Sequence, residues 1–553
     1  MPSSSLTRRE WLSASALAAA QVQGAVPDSV VVAQHDKGVD SYLAAQVTDR
    51  RNRWFGRIPD ATGLHQPGTA AGTLLAYVAA YLSAQSRFHK STELRERIRL
   101  SADALAAAQN EHGNFDLLIT NFNSPPDTAF IIRSAASAAL LARRAGEGEF
   151  LSWLEPLLRK AGDGMVSGGV HTPNHRWVVC AALAQLYELD NRDAYLRRID
   201  QWLAESIDLD EDGQFSERST LVYNPVVCSA LVVIANKLNR PALLDPVRQN
   251  LNALLYLLEP GHEAITDISR RQDQYSRGKP DGSWFALRYL ANRDGNGQFA
   301  TLADQLTPSL PLLMEHPELL EHGPERRPLP DDYSKLFPSG QFAHIRRGRM
   351  SAHVLLQGYS RFLGMRRGEA DIPAIRVAAA FFGKGQFVAS AGRRLNSGAF
   401  VLEQRLTAGY YQPFRPPRKV PPGVQTWYEL VPQRPHSERC EFHYGVTVRE
   451  TSKGIALRVE AGGTRDVPVA IEVNLKPGGR LEGCTRAPDL SDAFILEQGF
   501  ATYSLGGDSI RFGPGRAEHR YTQIRGAQPK LAGPSVYICG YAPFDYSIEF
   551  ELK

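Results

Sequence analysis

The apolar residues of this chain change their period once along its length. Up to about residue 320 they recur at three- and four-residue steps, as in residues 74–82, 98–108, 129–141, 177–186, 226–238 and 251–258. That spacing lines up one face of an α-helix. Short segments rich in Gly, Pro, Asn and Asp separate these runs, at residues 110–113, 123–127, 162–169 and 208–213. Such residues punctuate helices because they accept turn conformations. Helix and loop in alternation, with no strand, predict a stack of antiparallel helical hairpins. No strict internal repeat is visible, which argues against a named solenoid family.

The texture differs after residue 324. The stretch ERRPLPDD, residues 325–332, reads as a linker. Beyond it come short β-rich runs at 342–345, 352–357, 374–382, 399–406, 442–448, 455–459, 467–473, 510–512, 535–538 and 546–552. Ile455-Ala456-Leu457-Arg458-Val459 alternates apolar and polar, the period of a half-buried strand. Many short strands with turn signals between them predict an antiparallel sandwich.

At 553 residues the chain is long enough for two domains. Its net charge of +4 is too small to argue for nucleic acid as a partner, although a locally basic cleft for a polyanion is compatible with it. No apolar run approaches the ~20 residues of a membrane span. The five cysteines, Cys180, Cys228, Cys440, Cys484 and Cys539, are widely spaced with no CxxC pair. That is neither a disulfide framework nor a zinc site, and Cys180 and Cys228 fall in apolar helical runs as buried thiols. At the N-terminus Arg8-Arg9 precedes Trp11-Leu12, a mild apolar run over 14–20, and small residues at Ala18, Ala20, Gly24 and Ala25. This resembles a twin-arginine export signal, so residues 1–26 are expected to be a targeting segment and the mature protein periplasmic or extracellular.

Two stretches concentrate chemistry. Residues 168–183 read GGVHTPNHRWVVCAAL and place Asn174, His175, Arg176 and Trp177 at the head of a helix. A helix N-terminus carries unpaired N–H groups and the positive end of the helix dipole, so it favours anions. Residues 210–227 read DEDGQFSERSTLVYNPVV and place Tyr223 and Asn224 at the start of another apolar helix.

In order, spacing and helical context these two stretches resemble the heparinase II/III-like and alginate-lyase-like polysaccharide lyases. In that family an Asn-His pair opens one helix, and a segment with Asp-Gly, Glu, Ser and Tyr opens a later one. The resemblance covers most of the chain in architecture and these two stretches in motif. It implies an α+β multidomain protein: an (α/α) toroid catalytic domain over residues 27–330, then an antiparallel β-sandwich over 331–553. It also implies β-elimination on a uronic-acid-containing glycan. By resemblance Asn174 holds the uronate carboxylate, His175 neutralises it or acts as base, and Tyr223 is acid, or both base and acid. No cofactor is required for that chemistry. A structural metal occurs in some relatives, but no ligand set can be picked out here.

The residue chemistry supports this reading from the other side. Elimination needs donors for the carboxylate, a base for the proton on the adjacent carbon, and an acid for the leaving oxygen. Each residue also has a purely structural reading: Asn174 as helix N-cap, His175 as a packed histidine, Tyr223 as a core aromatic, Arg176 as a salt-bridging residue. Further substrate-binding candidates are Asn121 and Asn123 around Pro125-Pro126, with Phe122 for stacking. Asp127 or Thr128 is the natural N-cap of the following helix. Arg270 and Arg271, in DISRRQDQY, are placed to clamp carboxylates. Trp177 could stack on a sugar, and His436, in a polar Pro-rich stretch of the second domain, is the most exposed-looking of His344, His436 and His443. The expected partner is therefore an acidic polysaccharide or oligosaccharide. A glycoside hydrolase on the same toroid would instead need two facing carboxyls, for which Asp116, Asp127, Glu217 and Asp267 are available. A non-catalytic carbohydrate-binding protein is the third reading. No Gly-rich phosphate loop, HExxH or GxSxG occurs.

Overall fold

The computed structural model describes residues 29–321, 323–488 and 490–552. The expected export segment, 1–26, lies outside them. The chain forms two compact units. One holds the described residues up to Leu255 together with Ala264–Leu329; the other holds Tyr256–Glu263 and Pro330–Lys553.

The first unit is helical. In order it contains α1 (Ser29–Ala45), α2 (Pro67–Leu82), α3 (Thr92–Ala108), α4 (Pro125–Arg144), α5 (Gly148–Ser167), α6 (Pro173–Asp190), α7 (Asp193–Leu203), α8 (Tyr223–Lys237), α9 (Leu244–Leu254), α10 (Trp284–Asp294), α11 (Gly297–Ala303) and α12 (Leu310–Glu315). Helices two apart in sequence pack side by side: α2 on α4, α4 on α6, α6 on α8 and α8 on α10. These even-numbered helices form the inner layer, and composition explains why. In α6 an unbroken run from Trp177 to Leu186 is buried, with Ala181, Ala182 and Ala184 letting neighbouring backbones approach. The outer α7 buries only Tyr195 and Ile199 and turns its charged residues outward.

Alternating hairpins make the inner helices parallel to one another, so their N-termini gather at one end. The contacts confirm it. At the C-terminal end Glu188 of α6 meets Arg143 and Arg144 of α4 and Lys237 of α8. The short turns that feed inner helices share a device. Asn110 Oδ1 accepts from the N–H groups of His112 and Asn114, and Asp210 Oδ1 from those of Asp212 and Gln214. Gly113 and Gly213 close these turns at φ +84° and +75°, where a side chain would meet the carbonyl oxygens of Lys160 and Gln249.

One expectation fails here. The helical region is not free of strands: β1 (Phe115–Leu117) and β2 (Asn121–Ser124) form an antiparallel hairpin before α4. Its strands, Phe-Asp-Leu and Asn-Phe-Asn-Ser, are only three and four residues long, too short to carry a readable β-pattern.

The second unit is a sandwich of β3–β19, with one short helix, α13 (Val424–Leu430). Its strands are β3 (Asp332–Phe337), β4 (Phe342–Arg347), β5 (Met350–Leu355), β6 (Leu363–Arg367), β7 (Ala370–Ala379), β8 (Ala391–Arg394), β9 (Phe400–Tyr411), β10 (His436–Thr451), β11 (Gly454–Gly463), β12 (Pro468–Asn474), β13 (Arg480–Glu482), β14 (Thr485–Arg486), β15 (Ala493–Ile495), β16 (Ala501–Leu505), β17 (Asp508–Gly513), β18 (Ser535–Tyr541) and β19 (Phe544–Leu552). One sheet has the order β13-β16-β17-β19-β11-β10-β9-β8, the other β14-β15-β18-β12-β7-β6-β5-β4-β3. All pairings are antiparallel except β15 with β18. Ile372, Ile375 and Val377 of one sheet share a core with Val446, Leu457 and Ile548 of the other. In β11 Ile455, Leu457 and Val459 point inward while Arg458 is exposed, as their alternation predicts.

The segment Tyr256–Glu263 packs with these strands rather than with the helices that flank it in sequence. His344 Nδ1 lies 2.8 Å from the Tyr256 carbonyl oxygen, and Arg346 donates to that of Leu258 at 2.9 Å. A boundary drawn once, after residue 330, could not show this return. Cys180 and Cys228 are buried, and all five thiols are unpaired. Among the described residues no helix is long and apolar enough to cross a membrane.

Candidate active site

The N-terminal ends of α4, α6 and α8 bring the two motif stretches together. Thr172, not Asn174, occupies the cap position of α6, and Pro173 opens the helix. Asn174 is therefore inside the first turn, and its side chain is free to leave the helix. It does: Nδ2 donates to Glu217 Oε2 at 2.7 Å and to Thr172 Oγ1 at 3.1 Å. Glu217 lies on the loop before α8, six residues ahead of Tyr223. Its other oxygen faces Arg271 Nη1 at 2.9 Å, an ion pair without the alignment of a directed hydrogen bond. Arg271 Nη2 in turn donates to Tyr223 Oη at 3.3 Å, and its guanidinium sits 4.5 Å from the centre of the Tyr223 ring. Gln272 donates to the same phenol oxygen at 2.8 Å. Asn174, Glu217, Arg271 and Tyr223 thus form one connected chain of contacts drawn from three segments.

Burial sets the electrostatics. Asn174, His175 and Glu217 are all buried, whereas Tyr223 and Arg271 are half-buried and Gln272 is exposed. Burial pushes the Glu217 carboxyl above its ordinary range, opposed by the Asn174 hydrogen bond and the Arg271 charge. His175 packs edge-on against His171, ring centres 4.7 Å apart, and against Phe130. Burial first, then His171, brings its pKa down to about 4, with Asp127 pulling the other way and Arg271 adding to the fall. The imidazole is therefore neutral near neutral pH, and its Nδ1 is buried with no hydrogen-bond partner. A neutral ring can accept a proton; it cannot supply positive charge. The positive charge beside it is that of Arg271; Arg270 is exposed and donates to the Ser216 carbonyl oxygen at 3.2 Å.

Asn174 has a related constraint. Both hydrogens of its amide are committed, and its Oδ1 is the unpartnered atom. Holding a carboxylate would require it to release one donor, and the longer bond, to Thr172, is the weaker of the two.

Other sequence candidates fall elsewhere. Trp177 is fully buried with Nε1 3.3 Å from Asp208 Oδ1, so it cannot stack on a sugar. Arg176 is held by Asp208 at 2.8 Å and Glu205 at 3.2 Å and lies over the Trp177 ring. Trp177 is turned into the protein, whereas Arg176 is half-buried and its charge is matched by these two acids. Asn121 donates to Asp127 at 2.8 Å, and Asn123, at φ +48°, accepts from Asn110 and Asn114. These amides are tied into the hairpin, Asn121 half-buried and Asn123 exposed, and Phe122 between them is 68% exposed. The cap of α4 is Ser124, not Asp127 or Thr128. His436 is exposed at the start of β10, edge-on to Tyr411, and His443 is exposed as well, whereas His344 is fully buried. Sequence reasoning named Glu217 only as a spare carboxylate and passed over Gln272 and His171. His171 stands four residues before His175, a spacing that carried the signal.

Neither a protein-family model nor a curated protein matches this sequence. Solved structures do. A chondroitin AC lyase from Streptomyces coelicolor A3, in complex with chondroitin sulphate, matches with TM-score 0.56 and 13% identity over 95% of this chain and 79% of that one. A Paenibacillus xanthan lyase matches with TM-score 0.55 and 11% identity. The alignment takes in 95% of this chain but only 57% of the xanthan lyase. The heparan sulfate lyase HepC of Pedobacter heparinus gives TM-score 0.52 and 10% identity over 94% and 83%.

The fold is that of the α/α-toroid polysaccharide lyases.

At 10–13% identity the likeness is one of architecture, and the chemistry has to be argued from the side chains.

Proposed function

We propose that this protein is an exported polysaccharide lyase that cleaves a uronic-acid-containing glycan by β-elimination. The observation that carries the proposal is the contact chain from Asn174 through Glu217 and Arg271 to Tyr223, beside a neutral His175. The proton next to an ionised carboxylate is poorly acidic, because its removal adds charge to an anion. Arg271, Arg270 and the first-turn N–H groups of α6 are the donors that would absorb that charge as it forms. Neutral His175 or Tyr223 would take the proton. Tyr223, whose oxygen receives donors from Gln272 and Arg271, would also protonate the leaving oxygen, since those donors can hold charge on it while its proton moves. Glu217 orients Asn174 and Arg271 and does not itself react.

The hydrolase alternative finds less support. Both Glu217 oxygens are engaged by Asn174 and Arg271, and Asp127 accepts from Ser124 and Asn121. Export rests on Arg8-Arg9 and the apolar run after them.

Tyr223→Phe tests the chemistry. With uronate polymers as substrates, ultraviolet absorbance of the unsaturated product should fall by roughly two to four orders of magnitude, the usual worth of a general acid or base. Calorimetric affinity for the polymer should stay nearly unchanged. A fully active Tyr223→Phe enzyme removes Tyr223 from the mechanism.

A further inference from the structure

The excursion between β9 and β10, residues 412–435, is not absorbed by the site above. It carries four cations, Arg415, Arg418, Lys419 and Arg434, against one carboxylate, Glu429. That is a net charge of +3 within 24 residues. Its cations are also unmatched. Several arginines elsewhere in the same unit do pair with acids: Arg347 with Glu450, Arg458 with Asp545, Arg349 with Asp508 and Arg376 with Glu472. Among the described residues no carboxylate pairs with Arg415, Arg418, Lys419 or Arg434.

The arm nevertheless holds two of its guanidinium groups, those of Arg418 and Arg434, in place. Phe414, almost buried, has Arg418 at 3.8 Å and Arg434 at 4.2 Å from its ring centre, and Arg434 also lies 4.1 Å from that of Trp427. Trp427, Arg434, Phe414 and Arg418 form a ladder of alternating rings and cations. Arg418 donates to Gln433 and Arg434 to the Gln412 carbonyl oxygen. Gln412 ties the base of the arm shut, its N–H donating to the Pro435 carbonyl oxygen at 2.8 Å and its side chain to Ser437 at 2.6 Å. Stacking has already spent the rotamer entropy that a free arginine would lose on meeting an anion. On the arm Tyr428 is 64% exposed, and Tyr410, at the end of β9 just before it, is 61% exposed.

We propose that this arm is a second glycan-binding element that grips an anionic polysaccharide. The ligand class follows from the chemistry. Two stacked guanidinium groups, two further cations and the exposed ring of Tyr428 match a polymer with one or two negative groups per sugar and apolar pyranose faces between them. Nucleic acid, with a charge on every nucleotide, would call for a larger basic surface. The choice of an acidic glycan over other polyanions rests on the lyase reading; the presence of an anion-binding arm does not.

Electrophoresis of the full-length protein through gels containing chondroitin sulfate, alginate or uncharged dextran tests it. The acidic polymers should retard the protein, added salt should weaken the effect, and dextran should not retard it. Arg418→Glu with Lys419→Glu, or Tyr428→Ala, are solvent-facing changes. The double reversal should weaken retardation about tenfold, the sum of two lost surface pairs and two new repulsions. Tyr428→Ala should weaken it less, with thermal unfolding unaltered in both. Undiminished retardation in both variants overturns the proposal, as does binding to anionic phospholipid vesicles without binding to acidic polysaccharide. Product formation by the unaltered protein is measured separately. Arm-dependent binding without unsaturated product would sink the lyase reading and leave the arm standing.

Discussion

Replacing Glu217 separates the two tasks assigned to it, holding Asn174 and Arg271 in place and carrying buried charge. In Glu217→Ala the Asn174 amide loses a 2.7 Å charge-assisted bond in a buried setting. Such a bond is worth about 1.5–3 kcal/mol. The ion pair to Arg271 adds about 1 kcal/mol or less, because that side chain is a quarter exposed and screened by water. Part of this is returned, since the carboxylate no longer has to be desolvated, the effect that raises its pKa. The net cost is about 1–3 kcal/mol. The helical unit has roughly 290 described residues, for which each kcal/mol lowers the unfolding midpoint by about 1.6 °C, so a fall of about 2–5 °C is expected. Glu217→Gln keeps an acceptor for Asn174 and removes the charge, so it should cost about 1 kcal/mol and under about 2 °C. Both variants should lose most turnover, because Arg271 is no longer pinned beside Tyr223. Calorimetric scanning and the unsaturated-product assay read the two effects independently. Equal midpoint shifts for Ala and Gln, with full turnover in both, would refute the assignment of Glu217 as the anchor of the site.

Two further outcomes are expected. His175 and the fully buried His344 have folded pKa values lowered to about 4, below the 6.5 of an exposed histidine. Their contribution is present above 6.5 and is lost as pH falls towards 4, because only the unfolded state takes up protons in that window. For His344 the loss is up to roughly 3 kcal/mol, measurable as a falling urea midpoint; a midpoint independent of pH across that range contradicts its enclosed, neutral state. Lysine at both Arg8 and Arg9 should keep the chain in the cytoplasm on fractionation, and unimpaired export would rule out a twin-arginine signal.

The sequence by itself determined the layers. A three-to-four period up to residue 320 and alternation after it can be satisfied only by helices burying a stripe and strands burying a face, which local pattern records directly. It also determined that Asn174, His175 and Tyr223 stand at helix starts, because Pro173 and the turn closed by Gly213 are local devices. What each residue does there was decided by residues distant in the chain. Asn174 is no cap because Thr172 takes that place and Glu217, forty-three positions on, takes the amide. Arg271 reaches Tyr223 across forty-eight positions, while Arg176, beside His175 in sequence, is drawn away by Asp208. Adjacent residues on a helix point a hundred degrees apart, so a run such as Asn-His-Arg-Trp cannot reveal which members face the site. Only the meeting of three inner helix ends and one long loop sorts Asn174 and His175 into it and Arg176 and Trp177 out of it. The excursion of 256–263 into the sandwich has the same cause: its backbone carbonyls bond to His344 and Arg346, partners that no local pattern announces.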